Sequence, residues 1–82
     1  MQPLTMKVRI ELFGFLKDST NFQDFPSEFL FEGLISLDYL LNEILKLKDM
    51  DKVVLVNQKY VPPNYSLREG DVVQIFPPLD GG

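Results

Sequence analysis

The chain has 82 residues, enough for one hydrophobic core, and its 45% hydrophobic and 24% charged content is that of an ordinary globular domain. Twelve acids against eight bases leave a net charge of -4, which repels a phosphate backbone and argues against a nucleic-acid partner. Neither Cys nor His occurs, which excludes disulfides, thiolate or imidazole metal sites, thiol nucleophiles and Ser-His triads within this sequence.

Residues 1–5 carry no basic region followed by an apolar run, and no apolar stretch approaches membrane-spanning length. The expected compartment is the cytoplasm, with no membrane partner. The first predicted element covers residues 6–13. Met6, Val8, Ile10 and Leu12 alternate with Lys7, Arg9 and Glu11, the period of a strand with one buried face. Residues 14–25 mix Phe15, Leu16 and Phe22 with small polar residues and read as a loop holding a helical turn.

Residues 28–32, aromatic-rich and bounded by Pro26 and Gly33, form the second predicted strand, paired with the first. Ser36 offers a helix N-cap, because its hydroxyl can accept a backbone N–H that the first turn leaves unpaired. Asp38 at the start, with Lys46 and Lys48 in the last turn, complements the helix dipole. Leu37, Leu40, Leu41, Ile44 and Leu45 make one apolar stripe, with Tyr39, Asn42, Glu43 and Lys46 facing away.

Residues 52–56 are almost continuously apolar, a pattern that suits a strand buried on both faces. Asn57-Gln58 then turns the chain, Pro62-Pro63 interrupts any ladder, and residues 67–70 form a turn before a final strand over 71–76, which Pro77 ends. Two strands, a helix and two or three more strands predict an α+β fold. Its helix lies across one face of a mixed four- to five-stranded sheet, with the first and last strands side by side in the middle.

Catalytic side chains are hard to assemble from this sequence, and no Gly-rich loop precedes a helix as phosphate binding requires; most charged residues read as solvated surface. The end, "FPPLDGG", is different. At average glycine usage, two glycines in the last two positions arise by chance in roughly one chain in two hundred. Pro77 and Pro78 hold the chain extended and away from the sheet, because each ring fixes φ. Gly81 and Gly82, lacking Cβ atoms, make a tail thin enough for a narrow channel and leave the terminal carbonyl open to attack. A carboxylate is a poor acyl donor until an enzyme converts it to a mixed anhydride such as an acyl-adenylate, so a partner must supply that step.

The stretches "MKVRIELFGFLKD", "SLDYLLNEILKLK", "VVLVNQKYV" and above all "LREGDVVQIFPPLDGG" resemble the small ubiquitin-like sulfur carriers, the MoaD/ThiS-like proteins, and in particular the small subunit of molybdopterin synthase. The resemblance implies a ubiquitin-like β-grasp domain over residues 1–76, the first five flexible, followed by an extended tail, 77–82. It implies that an ATP-dependent, E1-like activating enzyme adenylates Gly82, that the carboxylate becomes a thiocarboxylate, and that Gly81 completes the slim pair. In the pterin branch the tail enters the large catalytic subunit of molybdopterin synthase and donates sulfur to the dithiolene of molybdopterin or its tungsten counterpart. Phe76, Pro77, Pro78, Leu79 and Asp80 are then the partner-binding residues, with no metal and no bound cofactor; ATP is used by the partner. Asp80 departs from the small neutral residue usual there and leaves other destinations open: sulfur for thiamine, cysteine or transfer RNA, isopeptide modification of proteins, or a non-covalent interaction domain.

Overall fold

Alternation along the first strand, β1 (Thr5–Leu12), sends Met6, Val8, Ile10 and Leu12 into the core and leaves Lys7, Arg9 and Glu11 on the opposite face. The structure is a computed structural model that describes residues 5–14, 16 and 27–78. β2 (Ser27–Glu32) runs antiparallel to β1, with Met6 opposite Phe31 and Val8 opposite Phe29. β3 (Val53–Val56) and β4 (Val72–Phe76) complete a four-stranded sheet in the order β2-β1-β4-β3. Its central pair, β1 and β4, is parallel. This is the β-grasp arrangement expected, with the first and last strands adjacent.

The helix is shorter than its sequence pattern. A turn of α-helix, α1 (Leu37–Tyr39), widens into a π-helical turn over Leu40–Ile44, in which the Leu45 N–H donates to the Leu40 carbonyl at 2.9 Å. Lys46 then adopts φ 59 and the Leu47 N–H donates to Leu41 O at 2.8 Å, which closes the helix. Lys46 and Lys48 therefore lie past the helix end, not in its last turn. The wide turn and the reversal at Lys46 bring both Leu45 and Leu47 fully into the core with Leu37, Leu40 and Leu41. Leu47 falls seven residues after Leu40, on the stripe a regular helix would bury, and it reaches the core here although the helix has already ended.

At the other end, the N–H groups of residues 37–40 are all satisfied. Leu37 donates to Tyr65 O, Asp38 to Pro63 O, Tyr39 to Ser36 Oγ at 3.1 Å, and Leu40 to Ser36 O. Ser36 is thus the N-cap, and the irregular stretch around Pro62-Pro63 supplies the remaining acceptors.

Two further expectations change. β3 is an edge strand paired with β4 alone, and Val53, Val54 and Leu55 are half-buried. Val54 and Val56 pack toward the core, whereas Val53 lies on the helix-free side opposite Phe76, so the apolar run combines a core-facing side with an apolar residue on the open side. Thr5, placed in the flexible lead-in by its sequence, belongs to β1 and pairs with Glu32. Residues 1–4 and most of the predicted loop, 15 and 17–26, fall outside the described residues, although Leu16 is fully buried in the core.

Asp71, just before β4, is a buried acid, unlike the solvated surface the charge pattern suggested. Its Oδ1 accepts from Asn57 Nδ2 at 2.8 Å, and its Oδ2 accepts from the Tyr65 hydroxyl at 3.0 Å and the Arg68 N–H at 2.9 Å. Asn57 returns the link, accepting from the Val72 N–H at 2.9 Å. The Asn57-Gln58 turn has φ of 53 and 68, and Gly70, at φ 85, donates to Lys7 O at 2.8 Å. One carboxylate therefore ties the β3 turn, the Tyr65 loop and the start of β4 together, and fixes the position from which the last strand runs.

Candidate functional site: an apolar cleft at the root of the tail

The parallel register pairs Arg9 with Val72, Glu11 with Gln74 and Leu12 with Ile75. Carried on by two positions, it sets Phe13 beside Phe76 and Gly14 beside Pro77. The Phe13 N–H donates to Ile75 O at 3.0 Å, continuing the ladder one step beyond β1. The ladder stops at Pro77, which has no N–H to give.

The Phe13 and Phe76 rings stack face to face with centroids 4.6 Å apart and planes 3° from parallel. Phe76 is half-buried and Phe13 is exposed; both lie on the face of the sheet that the helix does not cover. With Gly14, Val53, Tyr60, Pro77 and Pro78 they line an open cleft of about 660 Å³. Tyr60 is 79% exposed, so much of this wall is apolar or aromatic surface in contact with water.

Beside the aromatic pair on the same face lies a polar one. Gln74 Nε2 donates to Glu11 Oε1 at 2.8 Å, and Arg9 Nε donates to Glu11 Oε2 at 2.9 Å. The Arg9 guanidinium, then the Gln74 amide, hold the Glu11 carboxyl below its ordinary range, against the opposing effect of burial. These groups are committed to one another, which leaves the aromatic end as the unpartnered part of the site.

Of the residues singled out in the sequence, Phe76, Pro77 and Pro78 come together here, while Leu79, Asp80, Gly81 and Gly82 lie outside the described residues. Phe76 belongs to the cleft wall and not to the core cluster. Pro77 does not point away from the sheet: it is half-buried against Gly14, and the first exposed proline is Pro78. Phe13, Gly14, Val53 and Tyr60 are cleft residues that sequence reasoning missed. A signal for Phe13 existed, because it breaks the alternation of β1 by placing a second large apolar residue directly after inward-facing Leu12.

Among the described residues, no group of three or more metal-ligating side chains is assembled, and no helix is long and apolar enough to cross a membrane.

A mixed four-stranded sheet with its first and last strands paired in parallel and one helix packed on it defines a small β-grasp domain. The sequence profile of the ThiS family matches residues 10–82, and the chain belongs to that family of ThiS/MoaD-like sulfur carriers. Among solved structures it is similar to a protein assigned as molybdopterin converting factor, subunit 1, from Pyrococcus furiosus, with a TM-score of 0.67 and 26% identity, over 90% of this chain and 99% of that one. No curated protein sequence matches it.

Proposed function

We propose that this chain carries sulfur on Gly82 as a thiocarboxylate and delivers it to the dithiolene of molybdopterin or its tungsten counterpart. In this reading a carboxylate oxygen of Gly82 attacks the α-phosphorus of ATP in an E1-like partner, releasing pyrophosphate. A hydrosulfide-level donor then adds to the acyl carbon, and AMP leaves with the electron pair of the C–O bond. The product holds one sulfur in place of one oxygen, and no redox change has occurred at carbon.

The observation that supports this reading is the aromatic cleft at the root of the tail. Four residues follow Pro78, a reach of at most roughly 14 Å, so any enzyme that acts on Gly82 must bring its own surface to within that distance of the cleft. Phe13, Phe76, Tyr60, Pro77 and Pro78 give it an apolar patch to cover. The large synthase subunit and the activating enzyme are the two partners the reading requires, and a shared docking patch suits successive encounters. Asp80 requires a cation in whatever channel admits the tail, because an unpaired carboxylate is costly to desolvate.

The test is the intact mass after incubation with ATP, a sulfide donor and the cognate activating enzyme. The expected product gains the difference between sulfur and oxygen, and loses the ability to form when Gly82 is deleted. Presenting it to the large synthase subunit with the pterin precursor then reads the destination: dithiolene formation supports the pterin branch, and sulfur appearing only in thiazole, cysteine or transfer RNA assigns one of the other branches. Absence of ATP-dependent activation of Gly82 by any such enzyme from the same source sinks the proposal.

A further inference from the structure

We infer that Gly14 is a positioning residue for the tail, one that fixes the direction in which the chain departs at Pro77; the inference rests on the sulfur-carrier reading above. Two independent facts favour glycine here. Its φ is +66, a conformation that side chains with a Cβ seldom adopt. A Cβ built at this position would also stand 3.0 Å from Pro77 Cγ and 3.4 Å from Pro77 Cδ. The first distance is about half an ångström inside normal carbon contact.

What makes the contact consequential is the residue on its other side. A flexible side chain would swing aside, but the Pro77 ring is bonded to its own backbone nitrogen and its φ is fixed by the ring. Ring pucker relieves part of the crowding at Cγ, and what remains is passed through the ring to the main chain; Cδ, at 3.4 Å, is in ordinary contact. Pro77 therefore lies directly on the end of β1 because Gly14 leaves the space, with the Phe13–Phe76 stack one position earlier holding the two chains in register.

The tail amplifies a change at this point. Four residues separate Pro78 from the end of the sequence at Gly82, so a change of direction at Pro77 alters where Gly82 is presented, and misplacement by about 1 Å is enough to cost about 100-fold in a reaction that depends on alignment. Gly14 and Pro77 also line the cleft that the partner is proposed to cover, so the mark of a positioning role is a fall in the rate of the chemical step larger than any loss of partner affinity.

The experiment compares the full chain with Gly14→Asn, Pro77→Ala and the double variant in thiocarboxylate formation with the activating enzyme. Asn tolerates positive φ, so Gly14→Asn isolates the contact with the proline ring from backbone strain. The expected result is a kcat lowered about tenfold with KM within about twofold of the parent. In the Pro77→Ala background, where Cγ and Cδ are gone, Gly14→Asn is expected to cause no further fall. Parental kcat in Gly14→Asn, or an equal additional fall in the Pro77→Ala background, overturns the role. If Gly14→Asn does not fold, Pro77→Ala decides alone: a fall in kcat larger than the rise in KM supports the contact, and a parental kcat overturns it. A parent chain that is never activated removes the sulfur-carrier reading itself, a result distinct from an active parent with indifferent variants.

Discussion

Phe13 and Phe76 are 63 residues apart in sequence, yet their rings are stacked at 4.6 Å and 3°, side by side at the end of the central parallel pair. Neither belongs to the core cluster. Their position sets an aromatic pair at the root of the tail, on the surface that a partner is proposed to cover.

A double-mutant cycle on this pair should show a coupling of about 1 kcal/mol in denaturant unfolding, the excess of an aligned aromatic pair over the burial of each ring alone. The same variants should weaken sulfur transfer by more than their loss of stability explains, because Phe13 and Phe76 line the cleft that the partner is proposed to cover. Additive unfolding energies would show that the stack is incidental.

Asp71→Ala removes the acceptor for Asn57 Nδ2, the Tyr65 hydroxyl and the Arg68 N–H. Leaving such groups unpaired in a part-buried setting should cost about 3 kcal/mol, a large share of the stability of so small a domain. Asp71→Asn keeps one acceptor oxygen and should cost less. Urea midpoints for both variants check the order.

Two pH effects have opposite signs. Glu11 has a folded-state pKa below its ordinary value of 4.5, so its contribution is complete above that value and is lost as pH falls through the folded one. Tyr65 is shifted the other way: burial, then its hydrogen bond to Asp71, raises it above 10.0. Its contribution is present below 10.0 and is lost as pH rises through the folded value. Urea midpoints followed into acid should fall less steeply in Glu11→Gln, and those followed into alkali less steeply in Tyr65→Phe; variants with unchanged slopes would contradict these assignments.

Ser36→Ala should destabilise the domain by about 1 kcal/mol, since the Tyr39 N–H loses its acceptor. Ser36→Asp retains an acceptor and adds a charge favourable to the helix N-terminus, so it should recover most of the loss. Thermal or denaturant unfolding distinguishes the two.

Much of the fold was legible because local patterns agree with one another. The alternation of Met6, Val8, Ile10 and Leu12 selects one buried face, the Ser36 cap and leucine stripe select a helix, and Asn57-Gln58 selects a turn. The helix end was not legible, because the π turn and the reversal at Lys46 answer to the burial of Leu45 and Leu47. The edge position of β3 was hidden for a related reason: an apolar run states how much surface a strand wants covered, not which neighbours cover it.

Read alone, the residues place most of the strand and helix segments, exclude His and Cys chemistry, and supply the Gly81-Gly82 pair on which the proposed acyl activation rests. Such features depend on periods of two to four residues or on composition, and need no knowledge of distant neighbours. The fold adds that Asp71 joins three segments, that Phe13 stacks on Phe76, and that Pro77 rests on Gly14. Each of these follows from the long-range pairing of β1, β3 and β4, whose register brings together residues that lie far apart along the chain.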